Sequence, residues 1–354
     1  FPSNKKLLLF FATLFGVASV VHYDFLSLKL VIMLFLFPIL LGWTVKLSDK
    51  FVVTVFSWFF KLTIVYLMVE FLIIDLQLLE EFSREEHNQY YALLSSSTEI
   101  NVGYMKLGEL LLHRTGGYLS NVLVMPVLLS FSTIYYYICF WRHKKVVDFI
   151  MLACGIFLTL FSFSLTGLFV TIISMLVYNI FVARLYVTTL LLTGLIFLII
   201  NFGYADNMFV VKRAILNIFS DTGSSTAYVD IFTTFNINLE NVFRIILGRI
   251  SNSNSPFPSH IEYFNVLSLV GLFVFGYIFW KWFIMIRYGL SEKHSPLLIY
   301  GMTMLVSILG FIHHHSGLTP YPFLFFTVSF VKLDSYFTQK KYYYKLITSV
   351  PKNN

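Results

Sequence analysis

The sequence predicts an all-α, polytopic integral membrane protein, and three observations carry that prediction. Only 12% of the 354 residues are charged, against roughly 25% in an ordinary soluble domain. Hydrophobic residues make up 58% of the chain and the mean hydropathy is +0.78. Apolar runs long enough to cross a hydrocarbon core of ~30 Å as helices recur along the chain. A transmembrane β-barrel would instead show short segments of alternating polarity, and none is visible.

The runs fall at about 7–21, 26–45, 51–74, 119–140, 146–162, 165–183, 185–201, 262–286, 297–312 and 321–336, which predicts about ten spans. Lys and Arg segregate between them. One set of ends holds Lys5, Lys6, Lys46, Lys50, Arg142, Lys144, Lys145, Arg184, Arg287 and Lys293, with Lys340, Lys341 and Lys345 in the tail. The other set has two short turns and the 161–165 link, all without Lys or Arg. The positive-inside rule therefore places both termini in the cytoplasm. Two sizeable segments then lie outside: a first outer loop over 75–118 and a main outer loop over 202–261. The whole chain, 1–354, reads as a single polytopic membrane domain with no internal repeat.

Within the main loop, 208–219 and 239–247 both place apolar residues at helical spacing. They are expected as short helices lying over the outer membrane face, a lid on the bundle. Residues 221–225 (DTGSS) read as a turn and 251–258 (SNSNSPFP) as a loop.

Several classes are excluded. The net charge of +7 is spread in small groups beside apolar runs. That is a topology signal rather than a nucleic-acid surface. Cys139 and Cys154 lie in apolar runs and read as small packing residues, not a disulfide framework. There is no Asp-x-Asp pair, no Walker A motif and no G-x-S-x-G, so no metal or cofactor is predicted. The first residue is Phe1 rather than Met, so the start is expected to be missing or trimmed. Lys5-Lys6 and the apolar run after them lack the small-residue cleavage site of a signal peptide.

The candidate chemistry lies on the outer side. The first loop carries Arg84, Lys106 and Arg114; the second carries Lys212, Arg213, Arg244 and Arg249. Basic residues there oppose the orientation bias. They either bind an anion or are simply tolerated in a longer loop. In the third run, Lys61 and Glu70 fall on opposite helix faces. Glu70 is a cavity candidate, and Lys61 reads as an interfacial cation.

Ser259-His260-Ile261-Glu262 precedes the eighth run as a capping box. It would put His260 in the first turn of that span, where helix-terminal N–H groups and the positive helix end favour anions. The same field, with nearby arginines, opposes a positive imidazole, so His260 is expected neutral at pH 7. A neutral imidazole serves as a general base; the alternative is a capping histidine without chemistry. Arginines bind phosphates bidentately and stay charged. Base and arginines together suit transfer from a lipid pyrophosphate to an acceptor hydroxyl. His313, His314 and His315 end the ninth run. Adjacent helical residues point three ways, which argues against one metal site. Lining of a cavity, by His313 and His315 above all, and an interfacial position both remain open, as does cavity lining by Glu262.

The stretch 244–271 resembles the bacterial O-antigen polymerase (Wzy-type) and O-antigen ligase superfamily of lipid-linked glycosyltransferases. His260, Phe264 and Gly271, eleven residues after the histidine, fit the family spacing. Arg249 beside Gly248 fits an upstream basic residue, and Arg213 an arginine early in the main loop. SFSLTGL (162–168) resembles the family's Ser-Arg-Thr-Gly-Leu segment. Three departures stand out. Ile261 occupies a usually polar position, Leu165 often corresponds to Arg, and no Arg lies near Ala227. The pyrophosphate work would then fall more heavily on Arg213, Arg244, Arg249 and Arg114.

The resemblance implies a GT-C-like bundle in the bacterial inner membrane, with the active site facing the periplasm. It implies undecaprenyl-pyrophosphate-linked oligosaccharide as donor and no metal. In a polymerase the acceptor is another lipid-linked repeat unit, and a chain-length regulator is a candidate partner. In a ligase the acceptor is the lipid A core. A flippase or transporter of the same lipid-linked sugars and a non-catalytic scaffold are the other readings.

Overall fold

The computed structural model describes residues 2–22, 25–72, 105–107, 110–112, 125–162, 165–190, 193–194, 239–248, 262–292, 295–310 and 320–349. In chain order they form α1 (Pro2–Val21), α2 (25–46), α3 (Asp49–Glu70), β1 (Met105–Leu107), β2 (Leu110–Leu112), α4 (Met125–His143), α5 (Val146–Phe161), α6 (165–183), α7 (Leu239–Leu247), α8 (Glu262–Ser291), α9 (Pro296–Gly310) and α10 (Pro320–Ser349). The described chain is helical apart from the two short strands. Four helices, at Leu28–Lys46, Asp49–Glu70, Thr166–Ala183 and Asn265–Ser291, are long and apolar enough to cross a membrane.

The outward surfaces of two of these helices, α3 and α8, and of α1 agree with a membrane setting. Phe273 and Trp280 of α8 and Val20 and Val21 of α1 are each 60% exposed or more. On α3, Phe51, Trp58 and Leu62 are also exposed. Water-facing helices put polar residues on that side; apolar ones belong against lipid.

The chain divides into two compact units, Phe1–Val53 with Ala227–Asn354, and Thr54–Thr226. In the second unit α4 is the central helix and is buried from Met125 to Cys139. Small residues let its neighbours approach, as membrane helices require. A Cβ added to Gly155 of α5 would lie 2.7 Å from Thr133 Oγ1, and one on Gly167 of α6 would lie 2.7 Å from Pro126 Cβ. Hydroxyls supply the polar ties. Thr171 donates to Ser130 Oγ (2.9 Å), Ser130 Oγ donates to the Gly167 carbonyl (3.0 Å), and Tyr137 OH donates to Asn179 Oδ1 (2.6 Å). Each such tie is worth on the order of 0.6 kcal/mol in a membrane interior.

In the other unit α8, α9 and α10 pack together. Gly289 and Gly301 let α8 and α9 touch backbone to backbone, since a Cβ on Gly289 would sit 2.7 Å from Gly301 Cα. Asp49, at the start of α3, gathers three partners. Lys332 of α10 pairs with it at 3.1 Å, Tyr300 of α9 donates to it at 3.1 Å, and Tyr336 of α10 donates to its other oxygen. Lys332 also donates to the Leu47 carbonyl in the turn between α2 and α3. Asp334, buried on α10, pairs with Lys281 of α8 at 3.9 Å.

Charges within the eighth and tenth apolar runs find partners in the structure. Lys281 falls in the eighth apolar run, and Lys332 and Asp334 in the tenth. They are held by one another and by Asp49.

Candidate functional site

The candidate site grows from α7, α8 and the C-terminal end of α9. Residues 239–247 form a helix as their spacing predicts. Val242, Ile245 and Ile246 are partly covered, whereas Phe243 and Leu247 are exposed. The helix ends at Gly248, whose φ of +64° is the left-handed cap conformation that glycine adopts without steric cost.

The eighth apolar run is not one straight helix. Gly271 interrupts α8 with φ 74° and ψ 166°, a region open essentially to glycine alone. The Tyr263 and Phe279 ring centroids are 5.1 Å apart. On a straight helix those positions would stand about 24 Å apart. The arm before Gly271 therefore folds back beside the arm after it. This corrects the expectation of a continuous span over 262–286. The later arm, 272–291, still rises about 30 Å, enough to cross a bilayer unaided.

The two glycines meet. A Cβ on Gly248 would lie 2.5 Å from Gly271 N and 2.6 Å from the Leu269 carbonyl oxygen. A Cβ on Gly271 would overlap the Ile246 carbonyl oxygen. The end of α7 is thus seated in the break of α8, backbone against backbone. At the other end of the folded-back arm, Tyr263 OH donates to the carbonyl of Ile308 on α9. That bond ties the first turn of described α8 to the last turn of α9.

These contacts fix the described flanks of the predicted site. His260, Arg249, Arg213, Arg114, His313 and His315 lie outside the described residues. Arg244 is on α7 and Glu262 opens α8, with their side chains outside the description. Glu70, near the end of α3, is buried at 8% exposure, and Lys61 lies 5.5 Å over the Trp58 ring. Gly167, in the segment resembling the family's Ser-Arg-Thr-Gly-Leu, packs against Pro126, so its small size has a purely steric use. Tyr263 was not singled out in the sequence; its position three residues after His260 was the available signal. No group of three or more His, Cys, Asp or Glu fit for a metal occurs among the described residues.

The first loop contains one element the sequence reading did not foresee. β1 and β2 pair antiparallel, with Met105 opposite Leu112 and Leu107 opposite Leu110. The Gly108-Glu109 link was the available sign, because a glycine-first pair suits a two-residue hairpin. In comparisons with protein-family models, curated proteins and solved structures, nothing matches this chain.

Proposed function

We propose that the protein is a surface-polysaccharide polymerase of the O-antigen type. It would transfer a glycan from undecaprenyl pyrophosphate onto a lipid-linked repeat unit at the periplasmic face of the inner membrane. In this reading the bundle has about ten spans in a GT-C-like arrangement, with both termini cytoplasmic. His260 takes the proton from the acceptor hydroxyl. The acceptor oxygen bonds to the anomeric carbon of the donor sugar as the bond from that carbon to the pyrophosphate oxygen breaks. The electron pair leaves with undecaprenyl pyrophosphate, whose charge Arg249, Arg213, Arg244 and Arg114 bind as it develops. The proton on His260 passes to water. The leaving group is already stable as an anion, so no metal is required.

One observation carries the reading: the contact of Gly248 with Gly271. Both belong to the motif stretch, one beside Arg249 and the other eleven residues after His260. Their contact gives a physical reason for glycine at both positions. It also seats the chain that leads into Arg249 at the Gly271 end of the arm, nine residues along from Glu262. A transporter would use buried charges to couple ions. Here Lys332 is held by Asp49 and the Leu47 carbonyl, which favours a structural use.

The test is His260→Ala in cells that display the polysaccharide, with membrane levels matched to wild type. Chains limited to one repeat unit are expected. Unchanged chain lengths would remove His260 from the reaction, and long chains stranded on the lipid carrier would identify a ligase instead.

A further inference from the structure

The surface of α8 fixes the depth of its joint with α7. Phe273, Tyr277, Trp280, Phe283 and Arg287 recur every three or four residues and are all exposed, forming one stripe down the later arm. The aromatic residues belong against lipid. The arginine that ends the stripe belongs at a membrane boundary, where its guanidinium stays hydrated. Gly271 lies sixteen residues before Arg287, a rise of about 24 Å. The hydrocarbon core is about 30 Å thick, so the joint stops about 6 Å short of the far boundary. Tilt of the arm would sink it further.

The end of α7 is seated at that joint. The carbonyl carbon of Leu247 would lie 2.9 Å from a Cβ on Gly271. Exposed Leu247 therefore adjoins Leu272 and Phe273, which are exposed as well. Phe243, one turn earlier on α7, is exposed on the same face as Leu247. The lipid-facing surface of α8 thus continues over α7 through apolar side chains alone. In the sequence, Glu240, Asn241 and Arg244 fall within one arc of about 100° on α7. Val242, Phe243, Ile245, Ile246 and Leu247 fall outside that arc. Helices so divided lie in the plane of a membrane with the apolar face sunk about 5–10 Å, the depth that the joint already has. We infer that α7 is an in-plane membrane helix, its Phe243–Leu247 face lying among the acyl chains of the leaflet opposite Arg287. It is not a lid standing in water. The inference goes beyond glycosyl transfer and does not rest on it.

Depth is measured on the full chain in vesicles of phosphatidylethanolamine and phosphatidylglycerol. Cys139→Ala and Cys154→Ala clear the background, and a nitroxide is attached in turn to Phe243→Cys, Leu247→Cys, Phe273→Cys and Ser48→Cys. Collisions with oxygen, which concentrates in hydrocarbon, are compared with collisions with a water-soluble nickel chelate. At Phe243→Cys and Leu247→Cys the oxygen-to-nickel ratio is expected to be several-fold above that at Ser48→Cys and close to that at Phe273→Cys. A ratio like that of Ser48→Cys would make α7 a water-facing lid. Few collisions with either reagent would mean that another part of the chain, or a second copy, covers the face. Either result overturns the inference. If the labelled variants do not fold, the unaltered chain is reconstituted with phosphatidylcholine carrying a diazirine on its acyl chain and irradiated. Adducts on both 239–248 and 272–283 support the inference; adducts on 272–283 alone sink it.

Discussion

Gly271 sets the path of the chain around the candidate site, and it does so through its backbone alone. At φ 74° and ψ 166° a side chain is strained, and the Ile246 carbonyl occupies the space a Cβ would need. Gly248 is held the same way from the other side. Such positive-φ strain alone costs roughly 1–3 kcal/mol for a non-glycine residue, and the overlap adds to it. Gly271→Ala and Gly248→Ala should therefore each lower the thermal unfolding midpoint in detergent micelles. Gly276→Ala is the contrast. Nothing lies within 4 Å of its would-be Cβ, and alanine improves a helix interior by up to about 1 kcal/mol. It should leave the midpoint unchanged or raise it. Equal loss in all three would show that the joint carries no special constraint.

Among the elements, the tightest polar assembly is that of α3, α9 and α10 around Asp49. Lys332 is almost completely buried, so removing its carboxylate leaves an uncompensated charge. Such losses cost about 3–5 kcal/mol, whereas replacing both partners by apolar residues is often neutral. Asp49→Asn alone should strongly destabilise the fold, and Asp49→Leu with Lys332→Met should restore much of the loss, as read by thermal unfolding. A double variant no better than the single would mean that the tyrosines, rather than the ion pair, dominate.

Much of this layer was legible in the sequence. Apolar runs located α1 to α6 and α8 to α10 because length and composition decide a membrane helix, and spacing located α7. The π-helical turns at Ile32–Leu36 and Tyr178–Ala183 were not legible, since a one-residue widening leaves the apolar pattern intact. The break at Gly271 was hidden for the same reason: both arms are apolar, and composition does not record direction. Of the candidate site, the sequence singled out Gly271 by its place eleven residues after His260 and Gly248 only as the neighbour of Arg249, and their mutual contact depends on φ values that no spacing specifies.

For the whole molecule, the apolar outer faces of α1, α3 and α8 agree with a chain surrounded by lipid, and the basic residues predict an orientation. Lys46, Lys50 and the turn at 47–48 lie on the predicted cytoplasmic side, where Lys332 and Asp49 close the bundle. A cysteine placed at Ser48, in a variant with Cys139 and Cys154 replaced by Ala, should resist a membrane-impermeant maleimide in intact cells. It should react after the inner membrane is opened. Labelling in intact cells would invert the topology and put His260 on the wrong side for periplasmic chemistry.

Glycosyl transfer by a histidine base without a metal is tested most directly with the purified full-length protein. It is given lipid-pyrophosphate-linked repeat units in the presence of EDTA, and release of undecaprenyl pyrophosphate is followed together with product length. Elongation matched by pyrophosphate-lipid release in wild type, and neither in His260→Ala, is the predicted result. Elongation that persists in His260→Ala, or that appears only when a divalent cation is added, would contradict the account.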